Sequence, residues 1–127
     1  MILSNLRGLA IGLLVTAGAA CAADLTIHLA DSAPISRKNV QYQCDANGTQ
    51  IGVPAGPFSV EYINGGENSL AIVPISGHSL IFSNVTAGSG ARYVARQYTW
   101  WEAGGGVTLY SDWVSGKMHS TCHVVRP

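Results

Sequence analysis

Phe58-Ser59-Val60-Glu61-Tyr62-Ile63-Asn64-Gly65-Gly66 is the stretch whose reading decides the fold. Phe58, Val60 and Tyr62 alternate with Ser59 and Glu61, the period of a strand with one face against a core and one in water. Asn64-Gly65-Gly66 then supplies a turn. The same pattern recurs on both sides. Val40, Tyr42 and Cys44 alternate with Asn39, Gln41 and Gln43. Asp45-Ala46-Asn47-Gly48 reads as a turn, after which Thr49 to Val53 is expected to pair back. Downstream, Ser69 to Ile75 and Leu80 to Val85 are strands separated by Ser76-Gly77-His78. A loop follows at Thr86 to Gly90, and Arg92 to Trp101 reads as the longest strand. Gly104-Gly105-Gly106 turns the chain into Val107 to Tyr110, and Met118 to Val125 brings Cys122 back towards Cys44.

Helical spacing of apolar residues is not sustained anywhere after the first residues. Seven or eight short antiparallel strands in about 100 residues must hide their edges, and closing into a small barrel does so. The expectation is therefore all-β: a small antiparallel barrel of about eight strands with one disulfide. A sandwich would satisfy the same pattern.

The chain's start reads as a targeting segment. Arg7 precedes an apolar run from Leu9 to Val15, and Ala20-Cys21-Ala22 fits the small-x-small pattern of a signal-peptidase site. Residues 1–22 are expected to be a signal peptide and residues 23–127 the functional domain. The run is too short for a permanent membrane span. An alternative makes Cys21 the acylated first residue of an outer-membrane lipoprotein, although Gly18 stands where its lipobox wants a large aliphatic residue. Export to the periplasm also accounts for the cysteines. With Cys21 gone or lipidated, Cys44 and Cys122 remain, and in an oxidising compartment they are expected to pair.

Seven basic and seven acidic residues balance, and without Arg7 the remainder carries six against seven. No basic stripe exists, so nucleic acid is excluded as a partner on electrostatic grounds. His28, His78, His119 and His123 are scattered, and His119 with His123 lacks the further ligands of a zinc site, so neither metal nor cofactor is expected. No carboxylate pair or nucleophile–base pair stands at usable spacing, so the chain is not read as an enzyme.

Two stretches remain for function. In Thr86-Ala87-Gly88-Ser89-Gly90-Ala91-Arg92-Tyr93, glycines on both sides of Ser89 permit a tight, protruding turn that keeps bulk away from the hydroxyl. By composition alone this is an ordinary Gly-Ser loop. It is not a hydrolase nucleophile elbow, because Ala87 and Ala91 occupy the positions where that motif has glycine. The second stretch is Tyr98-Thr99-Trp100-Trp101-Glu102-Ala103-Gly104. Consecutive tryptophans on a strand point to opposite faces, so at most one belongs to the interior. The other is placed to anchor a partner or to lie beneath a loop.

Together these stretches carry a resemblance. Phe82-Ser83-Asn84-Val85, Ala87 to Tyr93, Trp100-Trp101 and Gly104 resemble the membrane-bound and periplasmic inhibitors of c-type lysozyme. So do Val60-x-Tyr62-x-Asn64, Leu70-Ala71, Tyr42-x-Cys44 and Cys122, so that the likeness runs from about Val40 to Cys122. The resemblance implies an eight-stranded barrel, a Cys44–Cys122 bridge, and c-type lysozyme or a related muramidase as partner. It implies that the loop with Gly88, Ser89 and Gly90, followed by Arg92 and Tyr93, enters the lysozyme cleft. A second loop, Trp101-Glu102-Ala103-Gly104, is implied to join it. The serine would bond the catalytic carboxylates and a lysine would add positive charge. Here that lysine position holds Ala103, and Glu102 precedes it. Arg92 and Arg96 are the nearest cations that could compensate. A changed target, with the chain as an immunity protein against another muramidase, is one alternative. An envelope structural or adhesion protein that kept only the fold is the other.

Overall fold

The structure is a computed structural model describing residues 11–16, 18, 22–113 and 118–126. The targeting segment, including Arg7 and Leu9, and the lipidation candidate Cys21 lie outside the described residues. Among the described residues, eight antiparallel strands close into a barrel in chain order. They are β1 (Ile35–Cys44), β2 (Phe58–Gly65), β3 (Asn68–Ile75), β4 (His78–Val85), β5 (Ala91–Ala95), β6 (Tyr98–Ala103), β7 (Gly106–Ser111) and β8 (Met118–Val124), with helix α1 (Ala46–Ile51) after β1. Between sandwich and barrel, the register decides: every strand pairs with its sequence neighbour, and β8 returns to β1.

Alternation fills the interior. Val60, Tyr62, Ala71, Val73, Phe82, Tyr93, Trp100, Leu109 and Cys122 all point inward, and Trp100 is fully buried. Burying the larger of these, such as Val60, Val73, Phe82 and Leu109, stabilises the fold by about 1.5–3 kcal/mol each. The closing seam is short: Tyr42 faces Val124, Gln43 faces His123 and Cys44 faces Cys122. The Cys44–Cys122 disulfide lies on this seam and joins positions 78 residues apart. A loop that long should constrain the unfolded chain by roughly 4 kcal/mol, on a chain-entropy account. Asp45 continues the seam, accepting from Ser120 Oγ at 2.6 Å and from the Thr121 N–H at 3.1 Å. Those donors hold its carboxyl below the usual range.

Two sequence expectations are corrected. Thr49 to Val53 does not pair back as a strand: Ala46–Ile51 is helical. Asp45 caps it through the Asn47 N–H, and Gly48 is buried where a Cβ would crowd Cys44, Val53 and Ser120. Close packing against the barrel end thus selects a helical turn over a ladder. Nor is Arg92 to Trp101 one strand. It divides into β5 and β6 at Arg96-Gln97, with Arg96 at φ 52°. The longest strand is β1, at ten residues.

Candidate functional site

Strand direction sorts the connections into two ends. The β2–β3 turn at 66–67, the β4–β5 loop at 86–90 and the β6–β7 turn at 104–105 share one end. Helix α1, the β3–β4 turn and the β5–β6 turn share the other. Ser89 and the Glu102–Gly105 segment, far apart in the chain, are therefore neighbours. Arg96 sits at the opposite end and cannot substitute there for the missing lysine.

Three contacts fix the 86–90 loop. Trp101 Nε1 donates to the Ser89 carbonyl oxygen at 3.0 Å. Arg92 Nη2 donates to the Thr86 carbonyl at 3.1 Å, and its guanidinium lies 5.8 Å over the Trp101 ring. Gly90, at φ 65°, lets the loop backbone lie against the Glu102 carbonyl, where a Cβ would overlap that oxygen. Gly88 meets nothing within 4 Å. The outcome is a pinned base and an exposed Ser89. Ser89 gives its carbonyl to Trp101; among the described residues its hydroxyl has no hydrogen-bond partner.

Parity places the second stretch. Trp100 and Glu102 face inward, while Trp101 and Ala103 face outward; Trp101 is half-buried and Ala103 exposed. The tryptophan pair thus divides between faces as the alternation requires. Glu102 is the surprise, because it does not project towards a partner beside Ser89. Its Oε1 accepts from Tyr62 Oη and from Tyr42 Oη, the latter at 3.1 Å. Trp100 Nε1 donates to Tyr62 Oη at 2.9 Å, and the two tyrosine oxygens are 2.9 Å apart. Burial, with the Glu102 carboxylate adding to it, pushes the Tyr42 hydroxyl up to about 12 and raises Tyr62 further. Both therefore stay neutral donors at physiological pH. Tyr93, only 6% exposed, packs against Tyr62 at 5.8 Å and is raised in the same direction by desolvation. It belongs to the wall beneath the loop.

Of the residues singled out from the sequence, Gly88, Ser89, Gly90, Ala103 and Gly104 are exposed at this end, and Arg92 and Trp101 brace them from the outer wall. Tyr93 and Glu102 face inside. What sequence reading missed is the Tyr42–Tyr62–Trp100–Glu102 network. Its signal was available, since Glu102 stands two residues after Trp100 on one strand and so shares its face. Among the described residues no cluster of His, Cys, Asp or Glu could hold a metal ion. No described helix is long and apolar enough to cross a membrane.

The family model described as membrane-bound lysozyme-inhibitor of c-type lysozyme matches residues 42–118. The chain belongs to that family. A Pseudomonas aeruginosa relative named membrane-bound lysozyme inhibitor of C-type lysozyme is 46% identical over 92 residues, covering 72% of this chain and 66% of its own length. A Cupriavidus necator relative of the same name is 34% identical over 106 residues, covering 79% of this chain and 75% of its own length. Among solved structures, Pseudomonas aeruginosa MliC in complex with hen egg white lysozyme resembles the chain with a TM-score of 0.65 and 36% identity. That match covers 83% of this chain and 99% of that one. The inhibitor family and the closed barrel thus agree, and residues 42–118 take in both loops of the Ser89 end.

Proposed function

We propose that this chain is a proteinaceous inhibitor of c-type lysozyme that blocks the enzyme's active-site cleft with the Ser89 loop and the Trp101–Gly104 segment. The observation that carries the reading is the exposed Ser89 on a loop whose base is fixed by Trp101, Arg92 and Gly90. Retaining glycosidases hold two carboxyl groups close together, one protonated and one ionised. A hydroxyl can donate to the ionised group while accepting from the protonated one. A loop already held in place loses little conformational freedom when it docks. The relatives' names and the lysozyme complex of the similar structure support the same partner. In this reading the chain acts by occupying a site, without catalysis of its own. It works on the periplasmic side of the envelope after removal of residues 1–22, or from an outer-membrane anchor at Cys21 if that residue is acylated.

Titrating hen-type lysozyme with the chain should give stoichiometric protection of peptidoglycan. Hydrogen bonds to charged groups contribute about 1.5–3 kcal/mol, so Ser89→Ala should weaken inhibition roughly tenfold to a hundredfold. Inhibition that Ser89→Ala leaves untouched would remove the cleft-plug reading. Ala103, exposed where the family pattern has lysine, favours a second reading in which the target is a different muramidase.

A further inference from the structure

The barrel mouth beside the Ser89 loop opens into a cavity of 640 Å³ that the plug reading does not use. Tyr42, Tyr62, Tyr93 and Glu102 line it, and Lys38 and Arg126 stand among its lining residues. Glu102 also lines the adjoining depression under Gly104 and Gly105. Its carboxylate is arranged as a receptor. Tyr42 and Tyr62 both bond Oε1, and among the described residues neither an ion pair nor a hydrogen bond engages Oε2. Neither Lys38 nor Arg126 comes within salt-bridge distance of it; the ion pair seen among the described residues is Arg37–Glu61.

We propose that this mouth is a cation-binding site, in which Glu102 Oε2 accepts an ammonium or guanidinium group in the cavity that Tyr42, Tyr62 and Tyr93 help to line. A carboxylate with one oxygen unengaged in a partly enclosed, tyrosine-lined cavity suits such a group. The anion accepts its N–H donors in charge-assisted hydrogen bonds, and the largely buried tyrosines around it reduce the screening by water. Tyr42 and Tyr62 remain protonated near neutral pH, so the one formal negative charge in the recess is that of Glu102. Lys38 and Arg126 also line the cavity, and their like charge disfavours a bulky cationic surface and leaves room only for a slender alkyl-cation directed at Glu102. The site reverses the sign expected at this end of the barrel. Where the family pattern sends a lysine into the partner, this chain has Ala103 and keeps an anion in its own mouth. Two sources share the chemistry: a lysine or arginine side chain of the muramidase, which rests on the proposed function, or a free amine, which does not.

The test uses the folded chain, its Glu102→Gln and Ser89→Ala variants, lysozyme, and the chlorides of butylammonium and methylguanidinium as probes. Glutamine keeps an acceptor for the two tyrosines, and a thermal midpoint near wild type confirms that the barrel is intact. The Trp100 indole N–H resonance, bonded to Tyr62, reports occupancy of the mouth. A side chain from the partner is indicated if Glu102→Gln weakens lysozyme binding about tenfold and flattens its salt dependence. A free amine is indicated if a probe shifts the Trp100 signal in wild type and not in Glu102→Gln, with lysozyme binding unchanged. Failure of lysozyme binding in every protein would sink the inhibitor reading while the probe titration still decides the cation site. The cation site is overturned if Glu102→Gln binds lysozyme, where wild type does, with unaltered affinity and salt dependence, or wild type binds none, and neither probe moves the Trp100 resonance.

Discussion

Gly90→Ala set beside Gly88→Ala isolates what the loop's base contributes. The two glycines flank the same serine, yet the structure assigns them opposite sensitivities. Gly90 lies at φ 65°, a conformation that costs an L-residue about 1–2 kcal/mol. Its added Cβ would also overlap the Glu102 carbonyl oxygen. Backbone stands on both sides of that overlap, so no rotamer relieves it. Only separation of the loop from β6 does, at the expense of the Trp101 Nε1–Ser89 bond, about 1 kcal/mol. Together these amount to about 2–3 kcal/mol. At roughly 4–8 °C per kcal/mol for a domain of this size, the thermal midpoint should fall by about 10–20 °C.

Gly88 has open space and a backbone that any residue adopts, so Gly88→Ala should change stability by no more than about 0.5 kcal/mol. Calorimetry or circular dichroism melts check the stability pair, and lysozyme inhibition assays check the functional one. Inhibition should fall with Gly90→Ala well below the level retained by Gly88→Ala, because the displaced loop no longer presents Ser89. Equal melting temperatures for the two variants would refute the close approach of the loop to Glu102. A destabilised Gly90→Ala that still inhibits normally would refute the claim that this approach positions the serine.

Two further outcomes follow from the same end of the barrel. Ala103→Lys should strengthen inhibition of hen-type lysozyme about tenfold or more, the value of a charge-assisted bond, with an unchanged melt because position 103 is exposed; unaltered inhibition would place this strand end outside the cleft. Folding stability measured by urea denaturation should hold below pH 10 and fall as pH rises through about 12, because the folded Tyr42 hydroxyl, and Tyr62 and Tyr93 in the same direction, titrate above their unfolded value. A flat profile over that interval would show that these hydroxyls are not buried.

Much of this architecture was legible from alternation alone. Val60 and Tyr62, and Trp100 against Trp101, stand on the faces that period-two patterning assigns, because a one-residue slip would turn every core side chain outward. Closure was less legible, since a sandwich buries the same stripes; the β1–β8 pairing that separates the two is a long-range contact with no local signal. Helix α1 escaped because Ile51 is its one large apolar residue and its stability comes from Asp45 capping and from Gly48 packing on the barrel. The β5–β6 turn escaped because Arg96-Gln97 lacks the Gly, Asn or Pro that marks a reversal, and Arg96 takes a positive φ under tertiary pressure. Within the candidate site, the motif pointed to Ser89, which the structure leaves exposed, whereas the inward turn of Glu102 required strand parity to be carried to the end of β6.

The outward face of that strand explains why a barrel suits a plug. Ordering a free five-residue loop would cost about 1–2 kcal/mol per residue on binding, enough to cancel several hydrogen bonds to a target. Here the ordering is done during folding. Trp101 and Arg92 come from adjacent strands locked in register by the Arg92–Trp101 pairing, and they grip the loop at Ser89 and Thr86. Their positions are set in turn by Trp100 and Tyr93, paired on the inner side of the same two strands and buried in the core. Any change that loosens the Tyr62–Trp100–Glu102 network should therefore reach the serine through the wall of the barrel, without touching the loop. Tyr62→Phe leaves Trp100 Nε1 without its acceptor in the buried interior, at a cost of about 1–3 kcal/mol, and should weaken inhibition beyond what its loss of stability alone predicts. If Tyr62→Phe melts earlier yet inhibits at full strength at temperatures where it is folded, wall and loop are mechanically independent.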